Sequence, residues 1–225
     1  MICLLTLLDS KRCDAMGKSK LTVKETQDMF LHVAQKIEES KDLLTQADKA
    51  IGDGDHGVGM ARGFETVRHK LDGQSFENIG DLLKSIGRAL MTSIGGAAGA
   101  VFGTLFTGAA KNLEGKSEFN GETLSLMLLD GLQAVKDRGK AKTGDKTMVD
   151  ALEPAAGKSA ELRSSPLDEA LTAVVEEARQ GMEKTKEMVA TIGKAKSLGQ
   201  RSLGHPDPGS VSTYLILKFM MEYVT

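Results

Sequence analysis

From Thr22 onward, apolar side chains recur at three- and four-residue spacing. Val23, Met29, Phe30, Val33, Ile37, Leu43 and Leu44 fall along one stripe. The pattern predicts an amphipathic helix running to about Asp48, where a glycine-rich stretch interrupts it. Similar periods predict further helices over about 57–71, 76–93, 99–113, 121–139, 146–163, 167–190 and 208–224. Eight helices are therefore expected. They are punctuated by Gly73, Gly95-Gly96, Gly115, Gly144, Pro166 and the run Gly204-His205-Pro206-Asp207-Pro208-Gly209. No long Pro/Ser linker divides the chain and no repeat is visible, which points to one domain. Short connections between helices of similar length favour antiparallel neighbours in a bundle or closed ring, with Phe102, Leu105 and Phe106 among the residues of its interior.

Composition supports an all-α chain. Of 225 residues, 40% are hydrophobic but only 4% aromatic, with no Trp, a balance that favours helices over a β-sandwich. Twenty-nine basic residues against 31 acidic ones give a net charge of -2, so nothing recommends a nucleic-acid backbone or an anionic membrane as partner. No segment reaches the roughly 18 apolar residues of a membrane span. Cys3 and Cys13 are the only cysteines, too few for a disulfide framework or a cysteine-based zinc site, and they suit a reducing cytoplasm. The apolar start Met1–Leu8 is followed by Asp9, Lys11, Arg12 and Asp14. It reads as part of a flexible extension over residues 1–20 rather than a signal peptide, with Met16 as an alternative start and the folded domain over 21–225.

The densest chemistry lies in Asp48-Lys49-Ala50-Ile51-Gly52-Asp53-Gly54-Asp55-His56-Gly57. Three carboxylates crowded around two glycines repel one another unless a cation joins them, and Mg²⁺ takes a few carboxylates together with water and phosphate oxygens. A calcium loop is disfavoured, because position 59, where an EF-hand needs its bidentate Glu, is Gly. The bland alternative is a solvated acidic turn in which Asp55 caps the next helix. On spacing alone the two readings are evenly balanced.

Three weaker signals follow. Ser93-Ile94-Gly95-Gly96-Ala97-Ala98-Gly99 leads small residues into a helix start, which suits phosphate, although such runs more often mark tight helix packing. Gly144-Asp145-Lys146-Thr147-Met148 reads as a helix capped by Asp145 with an adaptable Met148 behind it. In Leu203-Gly204-His205-Pro206-Asp207-Pro208-Gly209 a rigid turn starts the last helix, with Asp207 as cap and Pro208 in its first turn. His56 and His205 lack the partners of a zinc hydrolase and read as hydrogen-bonded loop histidines.

In this order the four pieces resemble the L subunit, or nucleotide-binding domain, of dihydroxyacetone kinases, over a stretch from about Thr22 to the end of the chain. The resemblance implies an eight-helix antiparallel barrel whose rim loops hold ADP or ATP through two Mg²⁺ ions. It implies that Asp48, Asp53 and Asp55 are the metal ligands. His56, Gly57, Val58 and Gly59 would line the phosphate side, Ala97 and Ala98 would offer backbone N–H groups, and Gly139 and Met148 would border the adenine. Lys194, Asp207, Pro208 and Gly209 would close the site. It also implies a separate K-type subunit that holds the ketone, and in some relatives a phosphoprotein of the sugar phosphotransferase system that recharges a retained ADP.

The chain departs from many relatives at Gly59, Ala98 and Ala100, where Asn, Ser and Pro are common. Losing an amide and a hydroxyl near phosphate removes two side-chain hydrogen bonds, each worth about 0.5–1.5 kcal/mol, which favours exchangeable ATP over retained ADP. The alternatives are a non-catalytic ADP-binding regulator, an L-type domain serving another acceptor such as erythrulose or a fatty acid, and a helical metal-binding protein without nucleotide.

Overall fold

The computed structural model describes residues 17–225. Met16 as a start and the two cysteines lie outside the described residues. Residues 17–20, expected with the flexible extension, are instead tied to the fold: Lys18 N–H donates to the Val224 carbonyl at 2.9 Å and Leu167 N–H to the Ser19 carbonyl at 3.0 Å.

Nine α-helices occur among the described residues: α1 (Val23–Glu39), α2 (Lys41–Ile51), α3 (His56–Leu71), α4 (Ile79–Ser93), α5 (Gly96–Ala109), α6 (Gly121–Gly139), α7 (Val149–Glu161), α8 (Leu167–Lys184) and α9 (Pro208–Val224). Two short strands, β1 (Leu21–Thr22) and β2 (Glu118–Phe119), pair antiparallel with Leu21 opposite Phe119. Side chains start several helices. Thr22 and Glu25 form a reciprocal capping box on α1, Asn78 caps α4 and Asp207 caps α9 with Pro208 in the first turn.

The long first helix expected from periodicity is two helices. The Ser40 N–H reaches the Lys36 and Ile37 carbonyls, and its hydroxyl donates to the Lys36 carbonyl at 2.8 Å, closing α1 so that α2 leaves in a new direction. Only Leu44, Asp48 and Ile51 of α2 face inward beyond the break, and Leu43 is exposed. The helix expected over 167–190 ends at Lys184 in a 3-10 turn, Thr185–Glu187, and the connection beyond it carries a second 3-10 segment, Lys194–Ser202, kinked at Gly199.

Packing closes a ring in the order α1, α3, α4, α5, α6, α7, α8, α9 and back to α1, while α2 lies at one end against α3 and α9. Eight helices thus form the wall, as expected, and the ninth is the displaced second half of the first. The interior is filled by Phe30, Phe64, Phe102, Leu105, Phe106, Phe119 and their aliphatic neighbours. An apolar cavity of about 20 Å³ within it is bounded by Leu105, Phe106, Met127 and Met220.

Alternate connections gather at opposite rims, the consequence of an up-and-down ring. At one rim the Ile79 N–H donates to the Lys116 carbonyl, joining the α3–α4 and α5–α6 connections, and Gly121 abuts the α7–α8 connection at Ser165. The α2–α3, α4–α5, α6–α7 and α8–α9 connections meet at the other rim, where all four border a single cleft.

Close helix contact sets a testable limit. A Cβ on Gly87 of α4 would lie 2.7 Å from the Thr107 amide nitrogen and 2.9 Å from the Gly103 carbonyl of α5. Gly87→Ala is expected to destabilise the fold by about 1–3 kcal/mol, seen as a lower urea midpoint with an unchanged slope. An unaltered midpoint would contradict the α4–α5 contact.

Candidate functional site

The rim cleft encloses about 670 Å³, a volume suited to a small organic ligand. Its acidic end is built by the turn between α2 and α3. Asp48 projects from the last turn of α2, and Gly52 lets it fold back, since a Cβ there would sit 2.1 Å from the Asp48 carboxylate. Asp48 Oδ2 accepts from the His56 N–H at 3.1 Å, tying the carboxylate to the start of α3. Asp53 and Asp55 stand in the turn itself, and one oxygen from each of the three carboxylates lies within 4.8 Å of the others. Asp48 is largely buried and the other two are exposed.

Positive charge surrounds this trio. Lys194, at the start of the second 3-10 segment, reaches over the cleft to pair with Asp53 and, at 3.5 Å, with Asp55. That ammonium holds the Asp53 carboxyl below its ordinary pKa, and Asp53 in turn raises that of Lys194. The up-and-down ring supplies more: α3, α5, α7 and α9 all begin at this rim, with His56, Gly96, Met148 and Pro208 bordering the cleft. Each helix start carries a partial positive charge and N–H groups without intrahelical acceptors. At α5 no side chain caps the end. Gly95 and Gly96, with φ of 82° and 57°, make the left-handed entry that only glycine adopts readily. The opposing end of α4 is neutralised by Arg62, whose guanidinium donates to the Ser93 and Ile94 carbonyls, both at 2.6 Å.

His56 is buried, and burial holds its pKa down against the pull of Asp48 and Asp55. Its Nε2 shares a 2.8 Å hydrogen bond with Ser212 Oγ of α9, joining the acidic turn to the last helix. At the far end, Met148 is buried beside Gly209, whose Cβ position is 3.3 Å from the Met148 Cβ. Asp207 Oδ2 accepts from the Ser210 N–H at 2.7 Å. Burial of its carboxyl pushes its pKa up to about 7.

Of the residues singled out from sequence, Asp48, Asp53, Asp55, His56, Val58, Gly59, Ala97, Ala98, Met148, Lys194, Asp207, Pro208 and Gly209 all border this cleft. Gly57 and Gly139 do not. Gly57 is pressed into α2, where a Cβ would lie 2.3 Å from the Lys41 carbonyl, and Gly139 is exposed at the end of α6. Gly59 is seated against Ile94, whose carbonyl is 3.2 Å from its Cβ position, so this chain has little room for a larger residue there.

Two cap assignments also change. Asp55 occupies the cap position of α3 without a capping hydrogen bond. Asp145 does not cap α7: it accepts from the Lys142 N–H and the Thr191 hydroxyl, while Asp150 receives the Gly144 and Thr147 N–H groups. Sequence reasoning passed over Arg62, Lys146 and Thr147. All three border the cleft; Lys146 and Thr147 stand inside the Gly-Asp-Lys-Thr-Met motif, where no role was read for them, and Arg62 lies in no motif.

Comparison with known proteins agrees with this architecture. The family model of the DAK2 domain matches residues 50–222. The chain is 37% identical over 201 residues to the ADP-binding subunit DhaL of PEP-dependent dihydroxyacetone kinase 2 from Listeria innocua serovar 6a, covering 86% of this chain and 93% of that protein. It is 39% identical over 184 residues to the corresponding DhaL subunit of Escherichia coli K12, covering 80% and 86%. The crystal structure of the dihydroxyacetone kinase from C. freundii in complex with AMP-PNP and Mg²⁺ matches with a TM-score of 0.71 and 25% identity, over 99% of this chain but 37% of that one. The fold is that of a DAK2 domain. The chain belongs to the DAK2 domain family, within which it is of the DhaL type.

The ion pair at the acidic turn has a measurable signature. Asp53 has a depressed pKa, so its contribution to stability is present above the unfolded-state pKa and fades as pH falls through the folded one. In Lys194→Met the Asp53 carboxyl, followed by ¹³C NMR titration, should move up toward the ordinary carboxylate value. An unmoved titration would contradict the pairing.

Proposed function

We propose that this chain is the nucleotide-binding subunit of a dihydroxyacetone-type kinase, handing a phosphoryl group from a magnesium nucleotide to a small ketone carried by a separate K-type subunit. The observation that carries the reading is the convergence, at one cleft, of three carboxylates and four helix N-termini. An anionic ligand alone would be repelled by the carboxylates and a cation alone by the helix ends. A metal-bound polyphosphate satisfies both.

The residues fit the metal that the family implies. Asp48, Asp53 and Asp55 offer hard oxygen donors close enough to share a cation, with no thiolate or metal-type histidine pair among them. They would hold two Mg²⁺ ions. Bound there, magnesium supplies neutralisation of charge on the phosphoryl group and fixes its orientation.

The chain's own part is binding and alignment. Asp48 is set by the His56 N–H and by Gly52. Val58, Gly59 and the N–H groups at Ala97 and Ala98 border the phosphate side, and Met148 and Gly209 border the base. Lys194 bridges from the acidic turn toward the phosphates, and Asp207 and Pro208 hold the start of α9. His56 is committed to Ser212, the carboxylates of the acidic turn to the metal and Asp207 to the start of α9, so deprotonation of the ketone's hydroxyl is assigned to the partner.

The phosphate source is inferred from the relatives. The substitutions at Gly59 and Ala98 remove two side-chain hydrogen bonds, but the uncapped N–H groups at the start of α5 do not depend on side chains. The Listeria innocua and Escherichia coli relatives, each matched over most of its length, are ADP-binding subunits of PEP-dependent kinases. The proposed donor is therefore a phosphoprotein of the sugar phosphotransferase system acting on retained ADP, which revises the preference for exchangeable ATP. Among the described residues no helix is long and apolar enough to cross a membrane. A cytoplasmic site of action is proposed from the cysteine usage and the kinase subunits that the chain resembles.

The test is isothermal titration with ADP in the presence and absence of Mg²⁺. The protein should bind only when magnesium is present, and Asp53→Ala should lose at least about tenfold in affinity with helicity by circular dichroism unchanged. Equal affinity in the variant would overturn the assignment. In a reconstituted assay, phosphoryl transfer should require a K-type subunit and a PEP-charged phosphoprotein. Absence of transfer under those conditions would favour a purely regulatory ADP-binding module.

A further inference from the structure

Lys146 borders the cleft yet is buried to 2% exposure. A buried ammonium is costly unless its protons find acceptors, and this one has them in two separate chain segments. Its Nζ donates to the Thr185 carbonyl, in the turn after α8, and at 2.6 Å to the His205 carbonyl, ahead of α9. Asp207 and Asp150 supply compensating negative charge, while burial lowers its pKa. The backbone at Lys146 is held at a φ of 61°, a left-handed conformation unusual outside glycine.

Further bonds stitch the same three segments together. The Ser210 hydroxyl donates to the Thr147 carbonyl at 2.6 Å, the Asp207 N–H to the Thr185 hydroxyl at 2.9 Å, and the Gly204 N–H to the Lys186 carbonyl at 2.8 Å. Lys146 sits at the crossing. On one side it is continuous with Thr147 and Met148, and on the other it grips the residue two before Asp207.

We infer that Lys146 is a positioning residue for the nucleotide, fixing the Thr147–Met148 turn against Asp207-Pro208-Gly209 so that the base-side wall of the cleft keeps its width. It acts through Met148 and Gly209 rather than by bonding the ligand. A side chain of similar length without the charge would fill the same volume at lower desolvation cost, but it would leave the His205 carbonyl without the ammonium, the Thr185 carbonyl with only the Met188 N–H, and the two walls joined only by the Ser210–Thr147 bond and packing. The inference rests on the nucleotide reading above and adds to it a division of labour: the acidic turn and the start of α5 serve the phosphates, and the Lys146 crossing serves the base.

The experiment compares ADP with inorganic pyrophosphate, both with Mg²⁺, by isothermal titration of wild type and Lys146→Met. Hydrogen exchange at the Gly204, Asp207 and Thr191 amides monitors the loops. The variant should bind ADP about tenfold more weakly while pyrophosphate affinity stays within twofold, with faster exchange confined to these amides. Unchanged ADP affinity, or an equal loss for both ligands, would overturn the positioning role, the second because it marks general loosening. Should Lys146→Met fail to fold, Thr185→Val removes the acceptor of the Asp207 N–H more gently and should show the same selective loss, about threefold; an unselective effect there overturns the inference equally. Wild type that binds neither ligand with magnesium would instead defeat the nucleotide reading on which the inference stands.

Discussion

Three carboxylates whose oxygens lie within 4.8 Å of one another repel, and positive charge close by offsets that repulsion. The ring supplies that charge by its topology. Because successive helices alternate in direction, α3, α5, α7 and α9 all begin at one rim, and their N-termini face the cleft that the acidic turn borders. Lys194 adds a full charge directly on Asp53 and Asp55. The arrangement is an electrostatic frame in which both signs are present and neither is fully neutralised by the other, as a ligand combining dication and polyphosphate requires.

The frame depends on packing remote from it. Close contact between α4 and α5 at Gly87 and Gly103 aims the start of α5 into the cleft, and Arg62 covers the end of α4 so that its carbonyls do not cancel the effect. His56 links the acidic turn to α9 through Ser212. On the base side, Asp145 and Asp150 each gather backbone N–H groups or hydroxyls from the α6–α7 connection and its neighbours, and Lys146 fastens that connection to the one before α9. The cleft is thus assembled from four loops, each held by at least one polar contact that is wholly or partly buried.

A wall of eight helices was legible in the sequence, because three- and four-residue periodicity and glycine punctuation report local structure directly, whereas closure into a ring and most of the cleft were expected only from the resemblance to dihydroxyacetone kinase L subunits. What escaped has tertiary causes. The break at Ser40 is invisible to periodicity, since Ile37 and Leu44 are seven residues apart and keep the stripe in register across it. Asp145 and Asp150 both lie near a helix start, and only the fold decides which one receives its N–H groups. Lys146 reads as a solvated lysine in a polar turn, and its burial follows from segments about 40 and 60 residues further along. Gly57 belongs to a motif whose glycines invite a phosphate reading, yet this one is needed for the approach of α2 to α3.

The central claim is that these aspartates hold a dication against a polyphosphate at this rim. Anomalous diffraction from crystals grown with ADP and Mn²⁺ tests it most directly. The account predicts manganese peaks about 2.0–2.3 Å from carboxylate oxygens of Asp48, Asp53 and Asp55, with the phosphates toward the start of α5. Manganese bound elsewhere, or ADP in the cleft with those carboxylates turned away and no anomalous peak between them, would contradict it.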